Sequence, residues 1–160
     1  MTAPEIELAV GEYFNVRTNV IVPNISWGMF IHECDLLVLT PAGYAYEVEI
    51  KTSKSDLIAD KQKSHGHKSN LIKFLYFAIP SNLLPCIEHI PERAGVIEVY
   101  ENSRYPGYIK CRIIRKPEVN KLAKKWNDKD KFNLARLGTM RMWPLKHSLL
   151  NLMKEQRNRA

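Results

Sequence analysis

Apolar and polar residues alternate along residues 44–51, YAYEVEIK. In a strand, that alternation sends Tyr46, Val48 and Ile50 to one face and Glu47, Glu49 and Lys51 to the other. A second strand precedes it at residues 33–39, where Asp35 interrupts an apolar run that continues as Leu36-Leu37-Val38-Leu39. The turn-forming Pro41-Ala42-Gly43 lies between them, which predicts an antiparallel hairpin. Upstream, Ile6, Ala9, Val10 and Tyr13 recur at helical spacing behind Thr2 and Pro4, residues suited to a helix start. Residues 19–27 read as a strand that Pro23 confines to an edge or a bulge, and Gly28 marks a turn.

Downstream, Ser53 or Ser55 caps a helix expected to reach about His65, with Asp56 in its first turn. Residues 72–79, IKFLYFAI, form a nearly continuous apolar strand of the kind buried on both faces of an α/β layer. Residues 81–94, with Pro85 and Pro91, read as a short helix or turn. Residues 95–101 and 108–115 are two further strands, joined as a hairpin by the turn-rich segment 102–107. From Glu118 the pattern is helical, with a break at Pro144. The expected fold is α/β, a mixed central sheet flanked by helices. Residues 1–117 make the main domain, and residues 118–160 a basic helical extension packed on it, with Trp126 and Trp143 as packing residues.

The charged strand face carries the candidate chemistry. Closing the hairpin brings Asp35 near Glu49, and two carboxylates on adjacent strands can share a hard divalent cation. Such oxygen donors suit magnesium or manganese. Lys51 lies on the same face, where an ammonium stabilises charge on a phosphorane-like transition state or orients a nucleophilic water. Glu47 either assists or is simply solvated. The structural alternative is an exposed cross-strand ladder of Glu47, Glu49 and Lys51. Against that ladder stands the cost of placing Asp35 in an apolar strand without a partner or a metal.

The pattern Asp35, then Glu49-Ile50-Lys51, on two predicted strands followed by a basic helix, resembles the PD-(D/E)XK nuclease superfamily. Residues 4–100 carry the resemblance, and the string from Arg17 to Leu57 is similar to small bacterial and phage members. Cys34 stands where many members have proline. The resemblance implies a restriction-endonuclease-like core and hydrolysis of nucleic-acid phosphodiesters with Mg2+ or Mn2+. It also implies a role for the protein in DNA repair, recombination or phage DNA processing. Asp35 and Glu49 would be metal ligands, joined by the main-chain carbonyl of Ile50 and by Glu5, the first-helix glutamate placed as in Holliday-junction-resolvase-like members. Lys51 would be the third catalytic residue. Lys54, Lys61, Lys63 and Lys68 would guide the nucleic-acid backbone. DNA is preferred over RNA by family habit, and a homodimer is compatible with the chain. The rival reading is a catalytically idle nucleic-acid-binding or assembly module on the same fold.

Composition adjusts this picture in three places. The net charge of +7 divides unevenly: residues 1–50 hold seven acids and one base, Arg17, whereas residues 110–160 hold fifteen Lys or Arg against four acids. An acidic cluster beside a basic surface fits a phosphate polymer as partner. Cys34, Cys86 and Cys111 are widely spaced without a CxxC pair, so neither a disulfide framework nor a zinc knuckle is expected. No apolar run is long enough to span a membrane, and acids stand where a signal peptide carries bases, which points to the cytoplasm. The pair His65 and His67 is read as phosphate contact or as an exposed helix end, since the sequence positions no third metal ligand beside it.

Overall fold

The computed structural model describes residues 1–25, 29, 31–62 and 66–159. Its helices and strands follow the chain as α1 (Ala3–Tyr13), β1 (Val20–Ile25), β2 (Cys34–Leu39), β3 (Ala45–Ile50), α2 (Lys54–Asp60), β4 (Ile72–Pro80), β5 (Gly95–Glu101), β6 (Ile109–Arg115) and α3 (Asp128–Arg159), with a 3₁₀ segment at Ser81–His89. The six strands form one sheet in sequence order. β1, β2 and β3 are an antiparallel meander, β3, β4 and β5 run parallel, and β6 returns antiparallel to β5. The expected mixed sheet flanked by helices is therefore present. Pro23 sits in the edge strand β1, where its missing N–H removes no bond from an interior ladder. Gly43, with φ +84°, closes the β2–β3 turn in the left-handed region that favours glycine.

Side-chain alternation divides the sheet into two faces. On one, Leu36, Val38, Val48, Ala78, Ile97 and Val99 pack beneath Ile6, Ala9 and Val10 of α1. The other face carries two separate apolar clusters. Leu75, Phe77, Ile79 and Val96 pack with Leu57 of α2 and Leu83 of the 3₁₀ segment. Val22, Ile25, Leu37 and Leu39 pack with Trp126 and Leu134. The odd-numbered face of β3 lies between these clusters, so Glu47, Glu49 and Lys51 form a polar seam inside the protein.

Two sequence expectations give way here. Helix α2 ends at Asp60, and His65 lies outside the described residues, as does the Gly28 turn. The C-terminal helix begins at Asp128 and continues past Pro144 to Arg159. Residues 118–127 stay outside the helix, tied to the start of β4 and the loop before it. Asn120 Nδ2 donates to the carbonyls of Ser69 and Ile72, and Trp126 Nε1 donates to the Leu71 carbonyl at 2.9 Å. Proline removes one helical hydrogen bond and crowds the preceding turn, which bends a helix or breaks it. At Pro144 the helix tolerates both effects. Only the first part of α3 packs on the sheet, through Leu134 and half-buried Leu137; Trp143 and the residues beyond it are exposed. No helix among the described residues is long and apolar enough to cross a membrane.

Candidate functional site

The face of β3 read as charged is buried. Glu47 and Glu49 are both 0% exposed and Lys51 is 7% exposed, so the solvated-ladder alternative does not hold. Burying ions disfavours folding by several kcal/mol each unless partners replace the lost water. Here the partners come from the chain between β3 and β4 and from His32, ahead of β2. Lys51 Nζ lies 2.7 Å from Glu49 Oε2 and 2.8 Å from Asp60 Oδ1. His67 spans two carboxylates, with Nε2 2.6 Å from Asp60 Oδ2 and Nδ1 2.6 Å from Glu47 Oε1. His32 Nε2 stands 2.8 Å from the same Glu47 oxygen.

Electrostatics follows this wiring. Burial disfavours the charge of His67, but its hydrogen bonds to Asp60 and Glu47 prevail and push its pKa up to about 9. Burial likewise works against charged Lys51, yet the attraction of Glu49 and the contact with Asp60 raise its pKa. Glu47 shows the mirror case: burial alone would raise its pKa, whereas His32 and His67 hold it below the usual carboxylate value.

Asp35 enters from β2. The β2–β3 register pairs Leu36 with Val48, so the next step along the strands sets Asp35 opposite Glu49. Asp35 Oδ2 accepts the Ile50 N–H at 2.7 Å. In an extended residue N–H and C=O point to the same strand edge, so the Ile50 carbonyl also faces the Asp35 strand. Asp35, Glu49, Ile50 and Lys51 are thus brought to one end of the β2–β3 pair.

Glu5 is engaged elsewhere. Its carboxylate takes the Thr2 N–H at 2.6 Å and the Thr2 hydroxyl at 3.0 Å, closing the N-terminus of α1. Of the first-helix carboxylates, Glu7 is the one coupled to Asp35: burial, then the Asp35 charge, raise its pKa. Lys54 and Lys68 are exposed; so is Lys61, whose Nζ donates to the Glu88 carbonyl at 3.2 Å. Lys63 lies outside the described residues. Lys68 lines an open cleft of about 440 Å3 together with His67, Lys73, Arg93 and Asn120.

Asp60, His67 and His32 are the members that the sequence pattern did not place in the site. Asp60 carried a usable signal, because it stands three residues after core residue Leu57 on the inward stripe of α2. His67 stood out only as part of a helix end. It is buried, with φ +55°, and its backbone carbonyl accepts from Arg93 Nη2 at 3.1 Å. His32 had no local signal, since its partner Glu47 is fifteen residues away.

The donors fall into two chemical sets. Asp35, Glu49 and the Ile50 carbonyl offer only oxygen, and such a set fits magnesium or manganese. The second set mixes imidazole with carboxylate: His32, Glu47 and His67 have ligand atoms within 4.8 Å of one another, as do Asp60, His67 and Glu49, the residue common to both sets.

Fold and site together define an α/β protein whose six-stranded mixed sheet holds a buried cluster of carboxylates, histidine and lysine. A solved structure with a similar fold is the SPO1766 protein of unknown function from Silicibacter pomeroyi, which aligns with a TM-score of 0.63 at 16% identity over 96% of this chain and 94% of that chain. At that identity the likeness concerns the fold alone. No protein-family model matches the chain, and no curated protein sequence does.

Proposed function

We propose that the protein is a metal-dependent nuclease of the PD-(D/E)XK type that hydrolyses DNA phosphodiesters, its core being of the restriction-endonuclease-like kind. The observation that carries this reading is the convergence of Asp35 and Glu49 across the β2–β3 pair, with the Lys51 ammonium 2.7 Å from Glu49. Asp35 and Glu49 hold the cation, with the Ile50 carbonyl as a further oxygen donor. Magnesium or manganese, when bound, supplies Lewis-acid polarisation of the phosphate and acidifies water. The Ile50 N–H orients the Asp35 carboxylate, and Lys51 places a positive charge beside the reacting phosphate. Exposed Lys54, Lys61 and Lys68 lie beyond the site as contacts for the sugar–phosphate backbone, which carries affinity without sequence information.

The test incubates labelled single-stranded, duplex, flap and junction DNA, and matching RNA, with magnesium, manganese or chelator. Cleavage of DNA that needs the cation is expected. Asp35→Asn and Glu49→Gln should each reduce it by at least about 100-fold, in keeping with the several kcal/mol a Lewis acid contributes. No cleavage of any substrate, or cleavage unchanged in both variants, would sink the proposal. One observation favours the idle binding module instead: Lys51 is already held by two carboxylates, Glu49 and Asp60. Tight DNA binding without cleavage under any cation would select that reading.

A further inference from the structure

The His32, Glu47 and His67 group belongs to neither the oxygen-donor pair nor the lysine contacts. Glu47 is fully buried, and its Oε2 accepts no hydrogen bond among the described residues. Leaving a buried carboxylate oxygen without a partner is unfavourable, because the group has lost its water and received nothing in exchange. The oxygen calls for a cation rather than for one more weak donor.

The surroundings match a metal that accepts imidazole. Glu47 Oε1 is hydrogen-bonded to His32 Nε2 at 2.8 Å and to His67 Nδ1 at 2.6 Å, and ligand atoms of the three residues lie within 4.8 Å of one another, so an ion that displaces the shared protons is within reach of all three after a small outward shift. The two rings meet edge to face, with centroids 5.6 Å apart. The outer shell is in place as well. A metal-bound histidine characteristically gives its other ring N–H to a carboxylate, which fixes the tautomer and strengthens the ligand. His67 does so: its Nε2 lies 2.6 Å from Asp60 Oδ2, and Asp60 is in turn held by Lys51 Nζ at 2.8 Å. Nδ1 is thereby directed at Glu47 Oε1, and an ion bound there would release the proton that Nδ1 shares with that oxygen. His67 also lines the cleft of about 440 Å3.

We propose that His32 Nε2, the Glu47 carboxylate and His67 Nδ1 form a site for a borderline divalent transition-metal ion, zinc above all, with a donor set distinct from that of neighbouring Asp35 and Glu49. Two imidazoles and one carboxylate leave a fourth position for water or a substrate group, which is the composition of an open zinc site. Magnesium, which prefers oxygen ligands and retains its waters, is a poor fit. The site stands whether or not the protein cleaves DNA.

The test uses the full chain, stripped with chelator, titrated with zinc by calorimetry and with cobalt(II) by visible absorption. One equivalent of zinc should bind, and cobalt should give d–d bands of a low-coordinate site. X-ray absorption of the zinc form should show imidazole scattering with Zn–N distances of about 2.0–2.1 Å. Zinc should raise the melting temperature of the wild type, since a ligand that binds only the folded state stabilises it. His32 lies at the rim of the network, with a side chain 9% exposed, so His32→Ala should remain folded and lose zinc affinity by at least about 10-fold. Asp60→Asn should weaken zinc by about 10- to 100-fold through the outer shell. Asp35→Asn should leave zinc binding as in the wild type, whatever it does to cleavage. Failure of the stripped wild type to take up zinc overturns the proposal. So does unchanged zinc affinity in folded His32→Ala, an absorption spectrum without imidazole, or loss of zinc in Asp35→Asn.

Discussion

Single residues show how far this site departs from an ordinary sheet surface. Lys51 neutralises two buried carboxylates, Glu49 and Asp60, and its ammonium also lies 5.9 Å from the centroid of the Phe77 ring. Removing one partner of a buried pair leaves the other charge uncompensated. Lys51→Met, close to lysine in shape, should therefore destabilise the fold by about 3–5 kcal/mol, read from the urea midpoint at constant slope. A loss near zero would mean that the three groups are not ionised together. A further buried carboxylate, Glu98, faces Arg112 across β5 and β6, and the Arg112 Nε donates to its Oε2. Burial works to raise the Glu98 pKa, but the Arg112 and Ser81 hydrogen bonds prevail and lower it from 4.5. A carboxyl with a depressed folded pKa stabilises the fold above its unfolded value, and that contribution disappears as pH falls through the folded value. Glu98→Gln should thus flatten the loss of stability below about pH 4.5, measured by melting between pH 7 and pH 3.

At the level of elements, the segment between β6 and α3 acts as a strap. Trp126 is 2% exposed, packs in the cluster with Val22, Leu37 and Leu134, and donates to the Leu71 carbonyl. Its backbone N–H donates to the Gly43 carbonyl at 2.8 Å, tying the strap to the β2–β3 turn. Trp126→Phe keeps most of the ring and loses the indole donor, so a loss of about 1 kcal/mol is expected. Trp126→Ala adds a large cavity and should bring the loss to about 3–5 kcal/mol. Equal effects of the two variants, compared by denaturant unfolding, would rule out the ring as the main contributor. The two tryptophans expected to pack the C-terminal extension therefore part company: Trp126 is a core residue, and Trp143, more than half exposed, is a surface residue of the projecting helix.

For the molecule as a whole, charge decides how it meets a partner. The first fifty residues hold seven acids against one base, residues 110–160 hold fifteen bases against four acids, and the overall excess is +7. If the exposed lysines after β3 hold a DNA backbone, replacing Lys54, Lys61 and Lys68 by glutamine should weaken binding almost equally for all sequences. The slope of log affinity against log salt should become shallower by about 0.9 for every phosphate that is no longer neutralised. A slope unchanged in the triple variant, measured by fluorescence anisotropy across a salt series, would place the nucleic acid on another face. Zinc uptake should persist in that variant, because none of the three lysines belongs to the His32, Glu47 and His67 group.

The strands and their faces were legible from the sequence alone. Period-two alternation in residues 44–51 determined that Glu47, Glu49 and Lys51 share a face, and the hairpin turn at 41–43 determined that Asp35 comes beside Glu49. These are local consequences of backbone geometry and need no knowledge of the remaining chain. Whether that face meets water or protein was decided only by tertiary structure. The answer depends on α2 and the loop after it folding over β3, and on apolar clusters forming to either side of the seam. His32, Asp60 and His67 join the site through contacts seven to twenty residues apart in sequence, which no periodicity encodes. The C-terminal helix shows the same division. Its helical character lies in the residues, but its start at Asp128 depends on Asn120 and Trp126 finding partners some fifty residues away.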